Sequence, residues 1–401
     1  MIPFKALLIG SDPGLLQMIP NLLTRARFTV DVISQSALLQ HTHQIKDLMY
    51  ARSDEALLAL AEKQISKHYD LVIIGDDITL RLILQSNLPA QTKLKLLPVT
   101  SENHYSHLFS KIGLSQAFEA GKVLTPQYGV ANSASEFIPL ANSLGYPVLI
   151  KVDASFGGQG VFVCQSDHDI ANLAPKLAQH PHFRFPVLVQ EKIEGLCLDL
   201  SAFYQAGKLI SFCHAIEEKT TSPLGPSNVR TYTQLGYLDQ KIFAELQAVG
   251  KALGADGFAN ISAIWSQTNL QRYFFEADMR PNGWADYSKY VGHDLAGAIK
   301  AYFEHGEILH SPPAINAQFP RSLLMAHVSR LKSWELLINR YGVWSFATRE
   351  QIIRRIIGHP LSKLNHAAIQ YLQPLVPKKV WSLLIQFGTN LKVKLIHLFF
   401  N

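Results

Sequence analysis

The residues best suited to chemistry in this chain fall in two short stretches. Lys151 closes the apolar run Pro147-Val148-Leu149-Ile150 and is followed at once by Ser155-Phe156-Gly157-Gly158-Gln159-Gly160. A strand that delivers an ammonium beside a glycine-rich turn can hold a polyphosphate, because exposed backbone N–H groups and the lysine meet the same anion. A tight hairpin is the bland alternative for the same glycines. The second stretch, Phe275-Glu276-Ala277-Asp278-Met279-Arg280, puts Glu276 and Asp278 at i and i+2 of a strand, so both carboxylates share a face that Arg280 continues. Hard oxygen ligands on a rigid strand suit Mg2+ held together with nucleotide phosphates; a structural Glu276–Arg280 salt bridge is the alternative.

These groups need a scaffold, and the hydrophobic pattern supplies one. Lys5 to Ile9 reads as a buried strand, Gly14 to Arg25 as a helix and Phe28 to Ile33 as a second strand, a β-α-β unit. Ala56 to Lys67 is helical, Leu71 to Ile74 is a strand ending in Gly75-Asp76-Asp77, and Leu94 to Val99 reads as another strand after an intervening helix. The first hundred or so residues therefore predict a small parallel α/β domain. Ser135 to Leu144 reads as a helix leading into the Lys151 strand. Val187 to Gln190, Leu198 to Gln205 and Leu209 to Cys213 read as strands, the last two joined through Ala206-Gly207-Lys208 in the manner of an antiparallel hairpin. Leu238 to Leu253 is helical, Phe258 to Trp265 and Arg272 to Ala277 are strands, and Asp294 to Glu304 is helical.

With 401 residues, 48% of them hydrophobic and 17% charged, the chain can bury a sizeable core in two or three domains. Cys164, Cys197 and Cys213 are odd in number and fit no Cys-x-x-Cys spacing, which favours a reducing cytoplasm over a disulfide framework or zinc knuckle. The first apolar run, Ala6 to Ile9, is too short for a signal sequence. The net charge of +6 is unevenly placed: from Arg321 onward 12 Lys and Arg face only Glu335 and Glu350, which leaves −4 for the rest. That argues against nucleic acid as a partner of the body of the protein. In the tail, Ser322 to Asn339, Arg349 to Ile357 and Pro377 to Leu398 read as helices, and Trp334, Trp344 and Trp381 lie among them. Such helices either pack as a small subdomain on the core or lie peripherally on an anionic membrane surface.

Together these segments resemble the ATP-grasp superfamily over about residues 1–305. The resemblance implies an N-terminal parallel α/β domain (1–108), a two-subdomain α+β ATP-grasp core (109–305, with a small lid over about 120–190 and a larger subdomain over about 191–305), and a basic helical C-terminal extension (306–401). It implies ATP and Mg2+ as cofactors and activation of a carboxylate as an acyl phosphate, which a second small-molecule substrate, an amine, then attacks. A homodimer is compatible with it. A first lysine some forty residues before the glycine-loop lysine contacts ATP phosphates in such proteins, which points to Lys111, with Lys122 ranked second beside a glycine turn. The adenine hinge resembles Gln190-Glu191-Lys192-Ile193, and ATP binding is carried over to Lys111, Lys151, Ser155, Gly157, Gly158 and Gly160, to Glu191, Lys192 and Ile193 of that hinge, and to Asp199 for the ribose, with Cys197 as the other register. Glu276 and Asp278 stand as metal ligands. Arg280 and Arg230 stand as catalytic residues, Arg280 stabilising charge on the transferred group and Arg230 reaching in from the loop Gly225 to Arg230, where a solvated surface arginine is the alternative. The sequence departs from the family pattern at the first metal acid, whose place is taken by Ser262 or Asn260, and at the usual asparagine, where Asp278 stands. A nucleotide-binding or membrane-interaction protein without turnover is the contrasting reading. A biotin-carboxylase-type carboxylation is a third, weakened because Pro281-Asn282-Gly283-Trp284 lacks the Gln-x-Glu-His found there. His104, His107 and His214 are open as substrate contacts.

Overall fold

A computed structural model describes residues 3–327, apart from 13–15, 17, 37–38, 40–43, 156, 178, 180–182 and 235–240. Three sheets organise them. The first is formed by β1 (Phe4–Gly10), β2 (Phe28–Ser34), β3 (Ile45–Tyr50) and β4 (Leu71–Ile74), in the order β3-β2-β1-β4 and parallel throughout. Helices α1 (Ile19–Arg25), α2 (Asp54–Ile65), α3 (Asp77–Gln85) and α4 (Ala90–Leu96) accompany it. β1 is fully buried from Ala6 to Ile9, as a parallel strand covered on both faces must be. Asp76 ties the carboxyl ends of β1 and β4 together by accepting from the amides of Ser11 (2.5 Å), Asp12 (2.9 Å) and Thr79 (2.8 Å).

Helix α5 (Lys111–Ala120) leads into the second sheet, built from β5 (Tyr128–Ala131), β6 (Val148–Val152), β7 (Val161–Cys164) and β8 (Val187–Glu191) in the antiparallel order β5-β8-β6-β7. One face, carrying Val148, Ile150, Val152, Val187 and Val189, packs with α6 (Phe137–Leu144) and α7 (Asp167–Leu177). The strand period of two leaves Leu149, Lys151, Leu188 and Gln190 on the other face.

The third sheet comprises β9 (Leu196–Gln205), β10 (Lys208–Phe212), β11 (His214–Thr220), β12 (Ser227–Thr233), β13 (Gly257–Ser266), β14 (Gln271–Asp278) and β15 (Ser322–Ala326). Its order is β14-β13-β9-β11-β12-β15, with β10 also paired to β9; α8 (Ile242–Leu253) and α9 (Leu295–His305) complete the described elements. Helix α5 packs against both α8 and β14, with the Phe118 and Phe274 rings 6.3 Å apart.

Two expected elements differ. The Leu94–Val99 strand is instead the end of α4, and only Val99 makes a bridge, to Ala255. The helix expected from Ser322 begins as β15, whose five residues pair antiparallel with β12. The expected helices at 349–357 and 377–398 lie outside the described residues. Among the described residues no helix is long and apolar enough to cross a membrane.

Candidate functional site

The second and third sheets face one another across the residues singled out above. On the wall formed by the second sheet, Lys151 is buried at 5% exposure, donates to Gln190 Oε1 at 2.6 Å and lies 5.1 Å from the centre of the Phe275 ring on β14. Burial pushes its pKa down to about 8; Lys111 acts in the same direction and Glu276 opposes it. Both lysines therefore lie within electrostatic reach of one another and of Glu276.

Lys111 is placed by the start of α5. Ser110 caps the helix by accepting from Gly113 N at 2.9 Å, and Asp153 accepts from Ser110 Oγ (3.0 Å) and Ile112 N (2.8 Å), so a carboxylate sits at the positive end of the helix. The Lys111 ammonium donates to the Asp153 carbonyl (3.0 Å), to Ser155 Oγ (3.1 Å) and to the Ser155 carbonyl, so it grips the base of the glycine loop. The loop needs its glycines. A Cβ on Gly158, whose φ is +76°, would lie 2.0 Å from the Leu224 carbonyl oxygen, and one on Gly160 would lie 2.2 Å from Ser155 Oγ. Gly157 also has positive φ, with open space around it. Lys122 is exposed in a turn at φ +56°, apart from this group.

The adenine hinge carried over to Glu191, Lys192 and Ile193 lies at the end of β8. Glu191 pairs with Val148 on the helix-packed side of the sheet, opposite to Lys151, and its Oε2 accepts from Gln127 N at 3.4 Å. The Glu191 and Lys192 amides already donate to the carbonyls of Gln127 (2.8 Å) and Pro147 (3.1 Å), and the Lys192 side chain pairs with Glu194. Any ligand contact from Glu191 must therefore come from its backbone carbonyl. Ile193 is half-buried just beyond it.

The facing wall is an array of carboxylates and arginines on the third sheet. Register places Asp199, Ser262 and Glu276 side by side, with Ser201, Asn260 and Asp278 in the next such row. Asp199 and Arg230 form a buried bidentate pair (2.7 and 2.6 Å), and the guanidinium lies 4.6 Å from the Trp284 ring centre. Arg230 belongs to β12 rather than to a loop, and at 5% exposure it is neither a surface residue nor free to swing. Arg280 donates to both oxygens of Asp77 at the start of α3 (2.6 and 2.7 Å) and to Asp278 (3.0 Å). Burial, Asp77 and Glu276 push the Asp278 carboxyl up, against the pull of Arg280. Glu217, opposite Arg230 in the β11–β12 ladder, is pushed up to about 7, chiefly by burial. Glu276 is exposed and has no hydrogen bond or ion pair among the described residues.

Sequence reasoning did not single out Asp77, Glu217 or Phe275, and it placed Gln190 only at the head of the hinge, with no role of its own. Gln190 carried a signal, an amide ending the otherwise apolar run Val187-Leu188-Val189; the Asp77 contact to Arg280 spans 203 positions and left no local trace. The three histidines are held structurally: His104 by Ser101 Oγ (2.9 Å), His107 by the Leu253 carbonyl (2.9 Å) and His214 by Thr233 Oγ1 (2.8 Å). Cys197 is half-buried, and all three cysteines are free thiols. Among the described residues no cluster of three or more metal-ligating side chains occurs. Glu276 and one Asp278 oxygen are nevertheless suited to Mg2+, which takes one or two carboxylates and completes its shell with phosphate and water.

Residues 115–195 match the family model described as the carbamoyl-phosphate synthase L chain, ATP binding domain. The chain is 36% identical over 185 residues to biotin carboxylase 1 of Bacillus subtilis, covering 40% of this chain and 38% of that protein. It is 24% identical over 200 residues to the C-terminal section of the carbamoyl phosphate synthase large chain of Methanopyrus kandleri, covering 48% and 35%. The structure superposes on that of N5-carboxyaminoimidazole synthetase from Staphylococcus aureus complexed with ADP, with a TM-score of 0.61, 13% identity and coverage of 85% and 89% of the two chains. The match over residues 115–195 and the shared fold support the resemblance to the ATP-grasp superfamily. The chain spans little more than a third of the length of these two curated relatives.

Proposed function

We propose that the protein is an ATP-dependent ligase that phosphorylates a carboxylate substrate to an acyl phosphate, whose acyl group then passes to a second small molecule, an amine, with release of phosphate. The observation that carries this reading is the convergence of buried Lys151 and half-buried Lys111 on one side of the cleft, opposite a Glu276 carboxylate that has no ion pair among the described residues. In the proposed division, residues 1–108 form the N-terminal domain and 109–305 the nucleotide-binding core, to which β15 adds an edge strand.

Lys151 and Lys111 hold phosphate oxygens under the glycine loop, with the amides around Gly157 and Gly158 as further donors. The stretch Glu191 to Ile193 presents backbone groups to the base, and Asp199 lies toward the ribose. Glu276 and Asp278 would hold Mg2+, which when bound would supply neutralisation of phosphate charge. Arg280 leans toward the transferred phosphoryl group by exchanging Asp77 for that anion, while Arg230 stays clamped to Asp199 and keeps the array in register. No general base is required for phosphoryl transfer to a carboxylate, in which positioning and electrostatic stabilisation dominate.

The test is ADP and phosphate release across a panel of carboxylates with and without amines, in the wild type and in Glu276→Ala. Release that needs both substrates and is lost in the variant is the expected result. The occupation of the first metal acid's position by Ser262 favours a second reading, a nucleotide-binding protein without turnover; tight ATP binding with no release under any condition would establish it. Release that requires bicarbonate in place of other carboxylates would instead place the protein with the carboxylases.

A further inference from the structure

We propose that Gln190 recognises the N7 edge of a purine base, which makes it a specificity-determining residue of the nucleotide site. The inference rests on the nucleotide reading given above. Gln190 is 1% exposed, and its Oε1 accepts from Lys151 Nζ at 2.6 Å. A lysine ammonium only donates, so the amide oxygen must face it and the NH2 group must point away from it. That Nε2 has no hydrogen-bond partner among the described residues, although it is buried. A buried donor without an acceptor loses its hydration and gains nothing in return, so a residue that served only to pack would be apolar here, as Leu188 is two positions earlier on the same face.

The location selects the acceptor. Gln190 lies between the lysine assigned to phosphate and the backbone of Glu191 to Ile193, assigned to the base. In an anti nucleotide the C8–N7 edge faces the 5′-phosphates, and N7 adjoins the exocyclic amine, so N7 is the ring acceptor between those two contacts. Tyr128 on β5 and Leu149 on β6 stand beside Gln190 in register and offer flanking apolar surface.

The experiment compares Mg·ATP with Mg·7-deaza-ATP, which lacks the N7 acceptor, by calorimetric titration of the full chain. The wild type is expected to bind the deaza analogue about tenfold more weakly, the effect of one lost hydrogen bond to a buried donor. Gln190→Glu keeps an acceptor for Lys151 but removes the donor, and Gln190→Met removes both; each is expected to bind the two nucleotides equally. Equal, tight binding of both by the wild type overturns this inference alone, as does discrimination that persists in Gln190→Met. Failure of the wild type to bind either nucleotide overturns the nucleotide reading and this inference with it.

Discussion

The two walls of the cleft treat their cations in opposite ways. On one side, Lys151 of the second sheet is held by a neutral amide and an aromatic ring, and Lys111 at the start of α5 by carbonyls and a hydroxyl. On the third sheet, Arg230 and Arg280 are forked into carboxylates. A buried ammonium with neutral partners keeps its charge at a desolvation cost, which is why Lys151 titrates near 8. A bidentate arginine–carboxylate pair is neutral as a unit and fixes geometry. The lysine wall is thus poised to receive an anion, whereas the arginine wall is a frame that leaves the exposed Glu276 carboxylate without an ion pair among the described residues.

This contrast can be broken by substitution, and the largest effect belongs to the frame. Asp199→Ala leaves the Arg230 charge buried without its partner and is expected to cost about 3–5 kcal/mol in denaturant unfolding; a cost below about 1 kcal/mol would show that the pair carries no structural weight. On the lysine wall, Lys111→Met is expected to weaken Mg·ATP binding about tenfold to a hundredfold, the size of one or two charge-assisted hydrogen bonds. Lys151→Met should have the opposite sign to Asp199→Ala in stability, raising it by about 1–2 kcal/mol at pH 7, because an apolar side chain replaces an ammonium the fold disfavours.

The smallest effect is a proton count. The folded pKa of Lys151 lies below its unfolded value of 10.5, so stability rises as pH increases from about 8 to 10.5, the range in which the unfolded chain binds the extra proton. Anion binding favours the charged form. Nucleotide affinity therefore falls as pH rises above about 8, and titrations at pH 8 in buffers of different ionisation heat should reveal fractional proton uptake that disappears in Lys151→Met.

Much of this arrangement is legible in the sequence because it rests on local periodicity. Strands β1, β2 and β4 and the glycine loop follow from apolar runs and turn residues, whereas β3 went unread, and Glu276 and Asp278 share a face because a strand alternates. The misreadings have physical causes. Lys93-Leu94-Lys95-Leu96 alternates like a strand, yet helical bonds from Lys93 N to the Pro89 carbonyl and from Leu97 N to the Lys93 carbonyl win there. Ser322 to Ala326 is rich in helix formers, but pairing with β12 overrides that propensity. Asp77 meets Arg280, and Asp153 meets the start of α5, only once separate sheets have come together.

The most direct test of the central claim is calorimetric titration of Mg·ATP into the wild type and Lys151→Ala, with thermal unfolding of each measured alongside. The account predicts saturable binding by the wild type and loss of measurable affinity in the variant, which still unfolds cooperatively. Unchanged nucleotide affinity in a folded Lys151→Ala protein would contradict it.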